Sequence, residues 1–327
     1  MFVSSVNVFR HRFNDDVHEV AEGIRRVTLP LPTRPGHVHA YLLAADDGWI
    51  LVDTGLGLPD ARERWQAELA ELDGPVRRIL ITHFHPDHVG AAADLVELTG
   101  AEVYEDELDY AQCRLVWGSD SWPERIAAWF RANGVPPPVA DELIETGSLY
   151  RSFIRYVEGP TQIGDGDRLD GWQVLAVPGH ADGQLCLHRD GVLIAADHVL
   201  DPISPAVGLY PESRPDPLGD YLTSLERVAE LAPRVAFAGH GEPIADPVAR
   251  SQELIRHHRE RLRRTHAALG PEPRTGYDVS LALFGLDLKP AARRFAVAES
   301  LSHLERLVAE GEAARGGEDG VISYTPA

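Results

Sequence analysis

Six consecutive residues, His83-Phe84-His85-Pro86-Asp87-His88, carry four side chains able to ligate a metal, directly after the apolar, strand-like stretch Val76 to Thr82. Side chains alternate with period two in an extended turn, so residues 83, 85 and 87 point the same way. His83 and His85 can then grip one cation while Asp87 and His88 turn toward a second. Imidazole with carboxylate suits Zn²⁺, with Fe and Mn as rivals. A loop that is merely rich in histidine explains this spacing poorly.

Three later runs repeat the design. Val174 to Val177 leads into Pro178-Gly179-His180, Gly191 to Ala196 into Asp197-His198, and Val235 to Ala238 into Gly239-His240. Each is an apolar run of strand length ending in a potential ligand, and Gly179 and Gly239 allow a tight turn that exposes the next side chain. Asp197 has a carboxylate and can bridge two cations. Its neighbour His198 is expected to support the site from outside the ligand set or to be structural.

These residues resemble the metallo-β-lactamase-fold hydrolases. Their HxHxDH motif matches His83, His85, Asp87 and His88 without a gap, and the later ligands match His180, Asp197 and His240 in order. Asp53, in Val52-Asp53-Thr54-Gly55, matches the early VDTG element, where the aspartate supports the site from outside the ligand set. Where many members carry Asn before the YLL strand, this chain has His39. The resemblance covers roughly residues 17 to 250 and implies a four-layered αββα fold. It further implies that metal 1 takes His83, His85 and His180, metal 2 takes Asp87, His88 and His240, and Asp197 bridges them. A water held between two cations becomes hydroxide near neutral pH, a metal polarises the scissile carbonyl or phosphoryl oxygen, and Asp87 orients the nucleophile. The reaction class is hydrolysis of an ester, thioester, lactone, amide or phosphodiester. Lactam cleavage is a poor fit, because lactamases of the group tend to carry Cys or Ser where this chain has Asp197.

Strands are expected at Val17 to Leu31, His37 to Ala44, Gly48 to Asp53 and Glu102 to Tyr104, with helices at Pro59 to Leu72 and Val89 to Leu98, an alternation that predicts a layered α/β fold. Glu105 to Val157 breaks that rhythm. Three of the chain's six tryptophans lie there, Trp117, Trp122 and Trp129, and Pro136-Pro137-Pro138 is expected to force a loop. We read this stretch as a helical insertion whose aromatics, with Tyr210, either wall an apolar substrate pocket or pack the insertion against the body.

A catalytic domain over residues 1–250 is expected, followed by a small unit over 251–327. A helix over Pro247 to Leu269 ends at Gly270-Pro271-Glu272-Pro273. Helices at Gly276 to Leu283, Pro290 to Phe295 and Ala296 to Glu310 and a strand at Val321 to Tyr324 then resemble the C-terminal winged-helix-like module of the lactamase-beta-2 group. Some members of that group look like endoribonucleases. Against nucleic acid stand a formal net charge of -20 and the scatter of Arg256, Arg259, Arg261, Arg263 and Arg264 around their helix, since phosphate contacts dominate such binding.

No apolar run approaches the ~20 residues of a membrane span, the first residues lack a signal-peptide pattern, and Cys113 and Cys186 are too few for a disulfide framework; a cytoplasmic protein is expected. Homo-oligomerisation is left open. Phosphodiester cleavage benefits from an acid for the leaving alkoxide, and no residue declares itself in that role, whereas a thiolate leaves unaided. The expected substrate is therefore a small thioester or ester with an apolar acyl group. A lactone, RNA, oxygenase chemistry on iron, and a non-catalytic metal-containing sensor are the alternatives.

Overall fold

The structure, a computed structural model, describes residues 18–327; Val17 and the residues before it in the expected 1–250 domain lie outside them. Two sheets face one another. The first has the order β1-β2-β3-β4-β5-β6-β7, comprising β1 (His18–Ala21), β2 (Ile24–Pro30), β3 (His37–Ala45), β4 (Gly48–Val52), β5 (Val76–Leu80), β6 (Glu102–Glu105) and β7 (Thr161–Gln162). It is antiparallel from β1 to β4 and parallel from β4 to β7. The second has the order β12-β11-β10-β9-β8, from β8 (Arg168–Leu169), β9 (Trp172–Ala176), β10 (Leu185–Arg189), β11 (Val192–Ala196) and β12 (Val235–Ala238).

Alternation along the strands builds the layers. On β3, Tyr41 and Leu43 join a core with Trp172, Val174, Leu185, Leu187 and Phe237 of the other sheet. Their neighbours Val38, Ala40 and Leu42 face the opposite way, into the core that holds Ala61 and Trp65 of α1 (Pro59–Ala70) and Leu95 of α3 (Ala92–Thr99). The second sheet divides likewise, with Cys186, Leu193 and Ala195 packed with Tyr221, Leu225 and Val228 of α7 (Pro217–Leu231). Each sheet thus has the other on one face and helices on the other, which is the αββα sandwich.

Several boundaries differ from expectation. The run to Leu31 is a hairpin, because Gly23 takes φ 68° between β1 and β2. Helix begins at Pro86, in the short α2 (Pro86–Val89), and restarts at Ala92. The insertion is helical, with α4 (Glu107–Cys113), a π turn (Arg114–Gly118), α5 (Trp122–Ala132) and α6 (Pro137–Ser148). The interruption falls at residues 133–136, and Pro137 and Pro138 then open α6, since the first turn of a helix needs no N–H donor.

After β12 come α8 (Pro247–Ala268), α9 (Gly276–Phe284), α10 (Pro290–Ala309) and a hairpin of β13 (Ala313–Glu318) and β14 (Val321–Pro326). The two helices expected around Phe295 and Ala296 are one, because neither residue breaks a helix. Strand β13 is hidden in the sequence behind Gly316 and Gly317. Val297, Leu301, Leu304 and Leu307 of α10 belong to the same core as α7 and α8. Among the described residues no helix is long and apolar enough to cross a membrane.

Candidate metal centre

All seven expected ligands meet at one end of the two sheets. Strand β5 delivers His83 and His85 through the stretch that follows it, α2 delivers Asp87 and His88, and the turns after β9, β11 and β12 deliver His180, Asp197 and His240. Asp87 and His88 come from a first helical turn, so period-two alternation ends at His85, yet both still face the group.

Four imidazoles are held from behind through Nδ1. His88 Nδ1 donates to Asp53 Oδ2 at 2.8 Å, His180 Nδ1 to the Ala206 carbonyl at 2.7 Å, and His240 Nδ1 to the His37 carbonyl at 2.8 Å. The Thr82 hydroxyl donates to Asp53 Oδ2 at 2.8 Å, so its oxygen is free to accept from His83 Nδ1 at 3.0 Å. In each ring Nε2 is therefore the atom that looks inward, the arrangement by which outer partners fix the tautomer of a ligating histidine. Asp53 anchors two of the four, and its Oδ1 also accepts from Thr82 N at 2.8 Å.

Asp197 lies in the middle. Its Oδ1 is 3.5 Å from His88 Nε2, and its Oδ2 is 3.6 Å from His180 Nε2 and 3.4 Å from His240 Nε2. Asp87 Oδ2 is 3.4 Å from His240 Nε2, and His85 Nδ1 is 2.9 Å from His180 Nε2. Donor atoms of His83, His85 and His180, of His83, His88 and Asp197, and of Asp87, His88 and His240 lie within 4.8 Å of one another in each group. His83 Nε2, His88 Nε2 and Asp197 Oδ1 are enclosed without a hydrogen-bond partner, at a cost of about 1–3 kcal/mol each. Unpartnered donor atoms converging in these groups fit metal ions.

The electrostatics agree. Burial keeps His85 neutral down to about 3, aided by His180, and burial also lowers His83 and His180. Burial opposes charge on His240 and His88 too, but Asp197 and its carboxylate neighbours outweigh it, raising His240 to about 10 and His88 well above the usual range. Asp87, despite its burial, is lowered to about 2 by His88 and His240. A carboxylate field that draws protons onto His88 and His240 draws a divalent cation equally.

The supporting residues divide. Asp53 accepts from His88 Nδ1 and from both donors of Thr82. The ring of His198 stands edge-on to Tyr221 of α7 at 5.5 Å, so it packs against that helix. His39 bridges Thr28 Oγ1 at 3.1 Å and the Gly241 carbonyl at 2.9 Å. Burial, with Arg26 next, holds His39 at about 3, so the neutral ring donates to Gly241 and steadies the turn that carries His240. Thr82 and the Ala206 and His37 carbonyls were not legible as site residues.

Of the expected pocket residues, Trp122 is only 5% exposed and belongs to the core. Trp117 is partly buried and donates Nε1–H to the Phe84 carbonyl at 2.8 Å, which braces the ligand run. Trp129 stacks on Tyr210 with ring centres 5.8 Å apart. Trp117 and Trp122 also line a cavity of about 20 Å³ with Phe130, Ile144, Arg151 and Arg294, room for about one water.

Residues 33–240 match the model of the metallo-beta-lactamase superfamily. The chain belongs to that superfamily. Residues 262–327 match the metallo-beta-lactamase-like C-terminal domain. The superfamily member is similar to a metallo-beta-lactamase family protein of Thermus thermophilus, at 37% identity and TM-score 0.82 over 94% of this chain and 99% of that one. It is similar, too, to a beta-lactamase domain protein of Burkholderia ambifaria, at 30% identity and TM-score 0.85 over 95% and 94% of the two chains. Among curated relatives, one described as a probable metallo-hydrolase, YqjP of Bacillus subtilis (strain 168), is 29% identical over 88% of this chain and 93% of its own length. An atrochrysone carboxyl ACP thioesterase of Claviceps purpurea is 23% identical over 78% of this chain and 68% of its own.

Proposed function

We propose that this metallo-hydrolase superfamily member is a binuclear enzyme that cleaves a small thioester or ester with an apolar acyl group. The observation that carries the reading is the set of four imidazoles pinned through Nδ1, with Nε2 turned toward Asp197. In this reading His83, His85 and His180 would hold one metal and Asp87, His88 and His240 the other, with the Asp197 carboxylate shared between them. Zn²⁺ suits the donors best, with Fe or Mn as rivals. Such metals supply Lewis acidity and activation of water at neutral pH.

Asp87 keeps 23% of its side chain exposed against 9% for Asp197, so it can ligate and also orient the attacking water toward a substrate that arrives from solvent. The partly buried Trp129 and Tyr210 offer an apolar surface for the acyl group. The thioesterase among the relatives supports the choice of bond. Two buried free thiols, Cys113 and Cys186, suit a reducing, cytoplasmic setting.

Four of the six arginines of α8 lie beside carboxylates, Arg250 by Glu253, Arg259 by Glu226, Arg261 by Glu299 and Arg263 by Glu260, which offsets part of the positive charge that RNA would need. Comparing an acyl thioester, a lactone and single-stranded RNA on one zinc-loaded sample tests the substrate. Thioester turnover that vanishes with chelator is expected; RNA cleavage faster than every ester would overturn it.

A further inference from the structure

His180 is oriented by a carbonyl that belongs to no strand or helix. Ala206 lies in the irregular stretch between β11 and α7, so something else must hold it. At the start of that stretch Arg250 of α8, its side chain only 10% exposed, donates Nε–H to the Leu200 carbonyl at 2.7 Å and its Nη2 to the Pro202 and Ile203 carbonyls at 3.0 Å each. At the other end Leu209 N donates to the Ala298 carbonyl of α10 at 3.0 Å. Gly208 is seated against the same helix: a Cβ added there would lie 2.9 Å from Ala298 Cβ and 2.8 Å from Tyr210 Cε2. Beyond it, Tyr210 stacks on Trp129 and lies under the Arg294 guanidinium of α10 at 5.9 Å.

We propose that α8 and α10 form a positioning clamp for His180, with Arg250 and Ala298 gripping the two ends of the 200–209 stretch so that the Ala206 carbonyl fixes the ring's tautomer and direction. This rests on the reading of His180 as a ligand. It makes the C-terminal helices part of the metal site instead of a separate recognition module. Arg250, Gly208 and Ala298 are positioning residues, which act on a metal only through His180.

The test uses the full chain and two readouts. In chelator-treated protein, ¹⁵N–¹H imidazole spectra report the His180 tautomer; in zinc-loaded protein, chelator competition reports metal affinity. Wild type is expected to show His180 as the Nδ1–H form alone. Arg250→Met and Gly208→Ala are expected to mix the tautomers and weaken the metal that His83, His85 and His180 would hold by about 10- to 100-fold, the usual effect of losing an outer partner of a ligand. Ala298→Gly added to Gly208→Ala relieves one close contact and is expected to restore both readouts in part. Gly276→Ala is the control, because its Cβ would meet Leu301 Cδ2 of α10 at 2.4 Å without touching the 200–209 stretch; it is expected to lower Tm and leave the His180 spectrum alone. A single tautomer and wild-type affinity in Arg250→Met and Gly208→Ala, or equal losses in the control, would overturn the clamp. The tautomer readout needs neither metal nor turnover, so a protein that proved not to be a hydrolase would sink the proposed function without deciding this point.

Discussion

Asp53 Oδ2 accepts a hydrogen bond from His88 Nδ1 at 2.8 Å, and Asp53 holds a backbone φ of 62° to place its carboxylate there. Positive φ is uncommon for a residue with a Cβ, and here the same carboxylate also takes both donors of Thr82. Asp53→Ala is expected to leave all seven donors in the chain and still weaken metal binding by about 10- to 100-fold, measured by chelator competition. Wild-type affinity in that variant would show that the tautomers of His83 and His88 are set by something else.

The aromatics separate by burial. Trp122→Ala empties a core position and is expected to cost about 3–5 kcal/mol in urea unfolding with little change in KM. Trp129→Ala removes the stacking partner of Tyr210, worth about 1 kcal/mol, and is expected to raise KM a fewfold for long acyl groups more than for acetyl. Equal effects on all acyl lengths would remove this pair from the substrate wall.

Acid should destabilise the chain through its buried neutral histidines. His258 and His303 meet across α8 and α10 with Nδ1 and Nε2 3.3 Å apart. Burial, then His303, lowers His258 to about 2, and burial lowers His303 to about 4. Their folded values lie below the unfolded value of 6.5, so in that window the unfolded chain binds more protons. Stability is then complete above about pH 6.5 and falls as the pH drops, by about 1.4 kcal/mol per pH unit for each such group. His258→Leu should make the unfolding free energy of chelated protein flatter between about pH 6 and 4.5 by about that amount. An unchanged slope would contradict the buried neutral state.

The seven donors were legible because each ends an apolar strand, where a turn exposes the next side chain at one edge of the sheet. For Asp87 that reason is incomplete: Pro86 starts a helix, and the first turn of α2, not an extended loop, presents Asp87 and His88. The partners that aim the rings are harder to read. Every residue has a carbonyl, so nothing in Ala206 or His37 announces that theirs receive His180 and His240. Tryptophan serves a pocket and a core equally well in sequence, and only burial tells Trp122 from Trp129. Near the end of the chain, Gly316 and Gly317 conceal β13 because glycine has no strand signature of its own.

Zinc titrated into metal-free protein, with hydrolysis of a medium-chain acyl thioester followed at each addition, tests the central claim most directly. Turnover is expected to reach its plateau at two equivalents per chain and to be absent at any loading in His180→Ala. A plateau at one equivalent would contradict the binuclear site, and no hydrolysis of the thioester at full loading would contradict the proposed reaction.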